Sequence, residues 1–238
     1  MSKVVRCNGR NLENMDIFEF GRGLLESEDL DPVYCMLTRA TLPPEALSQW
    51  LVAYWCFYHS GISSWIADAE MPEVFWSRMR EIATTSSPRG VERRHFRGRL
   101  AWRSVEALAG AETAADTIYY FSHIAPGIPV QTLEEVCIQV RTLPGFGPWI
   151  SFKIADMLER VLRRGIVFPD NALFLYSAPK AGLRLYRRES GLDSLESEDE
   201  TVQRLLSAFS PWKAPPWYDR PINIQELETI LCKWKSHN

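Results

Sequence analysis

The chain has 238 residues, 46% of them hydrophobic and 24% charged, which is ordinary globular composition with enough length to bury a substantial core. It contains no apolar run of the roughly eighteen residues that a membrane span needs, and MSKVVRCNGRNLENMD lacks the apolar stretch of a secretory signal. Cys7, Cys35, Cys56, Cys137 and Cys232 form neither a C-x-x-C pair nor an iron–sulfur spacing, so the expectation is a cytoplasmic protein with reduced thiols and no membrane partner. The formal net charge of −3 does not advertise nucleic-acid binding, but the charge is unevenly spread. Acidic residues gather in Glu189–Glu200, which reads as a surface loop, and basic ones in Arg89–Arg103, Arg160–Arg164, Arg184–Arg188 and Lys233–His237.

The chain order reads as helix after helix, an all-α fold. Pro43-Pro44 precede an aromatic-rich, buried helix over Glu45–His59. Further helices are predicted over Glu73–Ala83, Gly98–Ala109 and Thr113–Phe121. Thr132-Leu133-Glu134-Glu135 is a capping box opening a helix that ends near Arg141. From Pro148 to Arg164, Ile150, Ile154, Met157, Leu158 and Val161 share one helical face, and Lys153, Asp156, Glu159, Arg160 and Arg163 occupy the polar one. Gly165–Phe168 is weakly strand-like, and a helix is expected from Ala172-Leu173-Phe174. Val202, Leu205, Leu206 and Phe209 mark another, and Asn223 with Glu226 starts the last, ending in a cationic patch.

The most specific segment is Leu143-Pro144-Gly145-Phe146-Gly147-Pro148-Trp149, set between two helices. Two glycines around one apolar residue permit a tight hairpin, with Phe146 as a plug between the helices. Backbone amides of the turn and the second helix's N-terminus would then face a DNA phosphate. This resembles the helix-hairpin-helix of DNA glycosylases, over about residues 132–164 here, and the resemblance implies a single glycosylase-like helical domain over 1–238, a bundle of two closely packed lobes. It also implies DNA contacts from Gly145, Phe146, Gly147, Trp149 and Lys153. Asp170 lies 21 residues beyond Trp149, after Val167-Phe168-Pro169, where that superfamily carries an essential aspartate. As a helix N-cap its carboxylate would be held ionised facing a cleft. The nucleophilic lysine of bifunctional glycosylases is replaced by Trp149, so a Schiff-base mechanism is not expected. The alkylpurine glycosylases also carry tryptophan there.

Pro88-Arg89-Gly90-Val91-Glu92-Arg93-Arg94-His95-Phe96-Arg97-Gly98-Arg99 is dense in guanidinium groups, which read phosphates bidentately. Lys233 and Lys235 either complement the end of the last helix or join those arginines around a phosphate. Trp212, Trp217 and Tyr218, in a Pro-rich loop, either pack or stack on an extruded base. Together these motifs resemble the phage α-glutamyl/putrescinyl thymine pyrophosphorylases, the amino acid:DNA transferases, from about Leu37 to the end. That resemblance implies that 5-(pyrophosphoryloxymethyl)uracil in double-stranded DNA exchanges its diphosphate for a free amino acid or amine; no cofactor is expected and no residues are assigned to a metal. Asp170 would be the catalytic group that holds or deprotonates the amine, and Arg89, Arg93, Arg94, His95, Arg97, Lys233 and Lys235 would bind the diphosphate. A monofunctional glycosylase and a non-catalytic DNA-binding module are the alternatives. No G-x-x-x-x-G-K-[ST] loop or H-E-x-x-H occurs, and His59, His95, His123 and His237 lack metal-ligand spacing.

Overall fold

A computed structural model describes residues 6–7, 10–11, 15–122, 131–172 and 175–237. Among these the helices are α1 (Ile17–Glu26), α2 (Pro32–Arg39), α3 (Pro44–Phe57), α4 (Ser60–Ala67), α5 (Pro72–Thr84) and α6 (Gly98–Ala109). They continue with α7 (Ala114–Phe121), α8 (Leu133–Arg141), α9 (Pro148–Arg160), α10 (Ser177–Glu189), α11 (Glu198–Phe209) and α12 (Ile224–His237). Among the described residues, strands are confined to the antiparallel pair β1 (Arg6–Cys7) and β2 (Arg10–Asn11) and the parallel pair β3 (Gln131–Thr132) and β4 (Ile166–Val167). The fold is all-α. No described helix is long and apolar enough to cross a membrane.

Contacts divide the chain into two compact units, Leu37–Val167 and the residues before and after it. In the Leu37–Val167 unit, α3 is the central element, buried continuously from Ser48 to Phe57. That burial fits its sequence, which is apolar and aromatic around the whole helix rather than along one stripe. Trp55 lies over α9, its indole N–H 3.3 Å from the Met157 sulfur. Helix α8 starts on the predicted capping box, Thr132 accepting from the Glu135 amide while the Glu135 carboxylate accepts from Thr132. The strand-like stretch before Phe168 pairs with β3, tying the exit of α9 to the entry of α8.

In the other unit α1, α10 and α11 gather around α12. Phe18 meets Tyr186 edge-on at 6.1 Å and Phe209 at 5.6 Å, and the Trp234 indole donates to the Met15 carbonyl at 3.0 Å. Helices α10 and α12 touch backbone to backbone, because any side chain at Gly182 would strike the Leu231 carbonyl.

Three sequence expectations change. Helix α9 stops at Arg160 rather than Arg164, because Arg163 takes a left-handed φ of 55° and turns the chain out. Its polar face is largely buried: Asp156 is fully enclosed between Lys153 at 3.6 Å and Arg160 at 3.5 Å. Helical spacing of i, i+3 and i+4 lets those charges compensate one another, and a buried charge is tolerated only when paired. The acidic loop is shorter than predicted, since Ser197 and Glu200 form a capping box and Glu198–Glu200 become the first turn of α11, where carboxylates suit the helix dipole. Helices α1, α2, α4 and α10 carried weaker patterns, although Asp16 before Ile17 is a readable N-cap, accepting from Phe18 and Glu19.

Candidate nucleic-acid interface and carboxylate

The predicted turn exists as a close helical hairpin, Thr142–Gly147 joining α8 to α9. Its two glycines do different things. Gly145 adopts φ +74°, the left-handed region glycine enters freely, and a Cβ there would lie 3.1 Å from Leu100 and 3.2 Å from Phe96. Gly147 has an ordinary φ of −85° and caps α9 through its backbone; a Cβ on it would meet nothing within 4 Å. Its missing side chain leaves the start of α9 open, with no side chain capping the first amides. Trp149 packs edge-on against Tyr58 at 5.0 Å, and Tyr58 itself takes a left-handed φ of 50° where α3 ends.

Phe146 is buried at the turn. It meets Phe96 edge-to-face at 5.6 Å and lies under the Arg93 guanidinium, 4.7 Å from the ring centre. The basic segment is therefore part of the hairpin's own packing, which local sequence could not reveal.

That segment splits into inward and outward residues. Arg93 is 1% exposed; its Nε donates to the Cys56 carbonyl at 3.0 Å and its Nη1 to the Gly145 carbonyl at 2.8 Å. Burial pushes its pKa down to about 10, so it remains charged at neutral pH, and its Nη2 is buried without a hydrogen-bond partner. Ser104 of α6 donates to the neighbouring Pro144 carbonyl. Two successive turn carbonyls are thus held by side chains from outside the hairpin, and Ser104 carried no sequence signal for that task. Arg89 is similarly engaged, its guanidinium donating to Phe96 at 2.8 Å, to Ser87 at 2.7 Å and to Ile82 near the end of α5 at 2.5 Å. Both arginines were predicted to bind diphosphate; both are occupied by backbone carbonyls instead. Arg94, His95 and Arg97 are exposed, and among the described residues their side chains make no hydrogen bond or ion pair. Partial burial, then Arg93 and Arg94, hold the His95 imidazole below its usual pKa. Lys153, predicted to face DNA, is buried beside Asp156.

In the other unit Asp170 is exposed. It does not cap the helix expected from Ala172: the Ala172 amide donates to Asp199 at 2.8 Å, and Leu173 and Phe174 lie outside the described residues. Instead Asp170 Oδ1 accepts from the Ile224 amide at 3.1 Å, the first residue of α12. Its Oδ2 has no hydrogen-bond donor among the described residues. Gln203 steadies the same residue by donating to its backbone carbonyl at 2.5 Å. Lys233 is half-buried and donates to the Asp29 carbonyl, whereas Lys235 is exposed without an ion pair among the described residues. Tyr218 donates to Glu28 at 3.2 Å. Among the described residues no group of three or more His, Cys, Asp or Glu side chains is placed to hold a metal ion.

This hairpin, basic segment and carboxylate fall inside a sequence region with known relatives. The family model for amino acid:DNA transferases matches residues 23–238. A glycinyltransferase of Pseudomonas phage PaMx11 is 39% identical over 255 residues, covering 96% of this chain and 86% of that protein. A putrescinyltransferase of Delftia phage PhiW-14 is 26% identical over 217 residues, covering 87% of this chain and 67% of that protein. With nearly all of the described helices inside the matched region, the chain belongs to the amino acid:DNA transferase family.

Proposed function

We propose that this enzyme replaces the diphosphate of 5-(pyrophosphoryloxymethyl)uracil in double-stranded phage DNA with an amine nucleophile, acting in the host cytoplasm. The observation that carries this reading is the family match over residues 23–238, which takes in the hairpin, the outward arginines, Asp170 and the terminal lysines. The 39% identity to a glycinyltransferase makes glycine the first nucleophile to test, and the likeness to a putrescinyltransferase makes a polyamine the second.

In the reaction a C–N bond forms at the 5-methylene carbon as its C–O bond to diphosphate breaks. The leaving group departs with the bonding pair, and the amine gives up a proton. Diphosphate is already a good leaving group, so the protein's work is to hold DNA, neutralise developing charge and place the amine. The open start of α9 suits a DNA phosphate, because the unmatched first amides of a helix point at a bound anion. Arg94, His95 and Arg97 suit the diphosphate. Asp170 suits the incoming ammonium, through the carboxylate oxygen that α12 does not use, and it receives the proton before passing it to solvent. Arg89 and Arg93 support the segment rather than touch the anion.

The test is DNA carrying 5-(pyrophosphoryloxymethyl)uracil, incubated with glycine, other amino acids or putrescine and no ATP. Digestion to nucleosides and mass spectrometry should show one adduct, with diphosphate released in equal amount. Free base and abasic sites without an adduct would instead identify a monofunctional glycosylase.

A further inference from the structure

We propose that the outward face of α6 continues the DNA-backbone interface beyond the hairpin turn, with Arg99 and Arg103 each holding one phosphate of the duplex. The inference rests on DNA being the substrate. It concerns residues that neither the hairpin contact nor the diphosphate assignment uses.

Helix α6 lies against the turn through two residues four apart. Leu100 fills the space beside Gly145, and Ser104 donates to the Pro144 carbonyl. Arg99 and Arg103 immediately precede these two residues. Their guanidinium row therefore runs parallel to that contact, about 100° around the helix. Four helical residues rise about 6 Å, close to the ~7 Å axial rise of two phosphate steps along one DNA strand.

The charge on this face is uncompensated. Arg99 and Arg103 are exposed and make no ion pair or side-chain hydrogen bond among the described residues, and the same holds for Arg94 and Arg97 just before them. The nearest acid on the helix, Glu106, is taken by Arg80 of α5 at 2.6 Å. Arg78 is likewise engaged, donating to the Trp65 carbonyl at 2.6 Å. Four guanidinium groups within ten residues, on a chain whose net charge is −3, are exposed to solvent. Arginine rather than lysine is used at every cationic position from Arg89 to Arg103, and guanidinium is the group that binds phosphate oxygens in pairs. A neutral ligand would not need such a row, whereas a polyanion anchored at the adjacent turn would pass along it.

The experiment measures binding of an unmodified duplex by fluorescence anisotropy from 50 to 300 mM salt, a range over which phosphate contacts read out as a slope. Wild type is compared with Arg99→Gln, Arg103→Gln and the double variant, with Arg184→Gln as a control because Arg184 is paired with Glu198 at 3.0 Å. Each single variant should flatten the log K against log salt slope by about 0.9 and the double by about 1.8, with about eightfold weaker binding per contact at 0.1 M salt. The control should match wild type, and all variants should melt as wild type does, since the residues are exposed. Unchanged slopes in folded variants would overturn the proposal. Binding needs no modified base and no amine, so the expected slopes without any adduct in the transfer assay would support this interface while refuting the reaction.

Discussion

Asp170 shares its two carboxylate oxygens between structure and, as proposed, chemistry. Oδ1 serves the first amide of α12, and that task needs only an acceptor, which asparagine also supplies. Asp170→Asn should therefore leave the unfolding free energy within ~0.5 kcal/mol while transfer falls by about 10²-fold or more. Asp170→Ala should lose the same activity and, in addition, about 1 kcal/mol of stability. Urea melts alongside turnover separate the two, and an active Asn variant would remove Asp170 from the reaction. Arg93 and Arg94 make the complementary point, since adjacent residues of one type do opposite work. Arg93 satisfies carbonyls 37 and 52 residues away in sequence, and its neighbour faces water. A buried guanidinium is tolerable because each carbonyl it meets would otherwise be an unsatisfied acceptor, at about 1–3 kcal/mol each.

At the scale of the element, the hairpin turn was legible in sequence as L-P-G-F-G-P-W, but the unlike demands on its two glycines were not. Gly145→Ala forces a left-handed φ on a side chain that also crowds Leu100, and should cost about 1–2 kcal/mol of stability. Gly147→Ala has an ordinary φ and open space, so its melting should match wild type. If the start of α9 receives a DNA phosphate, the added methyl group intrudes on that approach and duplex affinity should fall several-fold. Equal DNA affinity for wild type and Gly147→Ala would place the backbone contact elsewhere. The capping box of α8 illustrates the opposite case, where residues three apart set a helix start without tertiary help.

For the whole molecule, stability should depend on pH through its histidines. His95 is held below the ordinary imidazole pKa by partial burial and then by Arg93 and Arg94, and His237 by burial and then by Lys233. A histidine whose folded pKa is depressed binds its proton more readily when unfolded. Its contribution is therefore present above the unfolded value of ~6.5 and is lost as pH falls through the lower folded value. Melting temperature should decline between pH 7 and pH 5.5, before most carboxylates titrate, and His95→Gln with His237→Gln should flatten that decline. An identical acid limb in the double variant would assign the effect to other groups.

The sequence by itself determined what depends on short spacing. It set the all-α class through helical periodicity, the capping box of α8 and the start of α6, the hairpin through its glycines, and the family through motifs spread along most of the chain. Tertiary structure decided everything that depends on what a side chain finds many residues away. It drew Arg89 and Arg93 inward to carbonyls while leaving Arg94, Arg97, Arg99 and Arg103 to solvent, buried the charged face of α9 by pairing Lys153, Asp156 and Arg160, and turned Asp170 toward α12 rather than the helix expected just after it. The reason is physical: a hydrogen-bonding group follows whichever partner the packed chain leaves unsatisfied, and for long polar side chains that partner has no fixed distance in sequence.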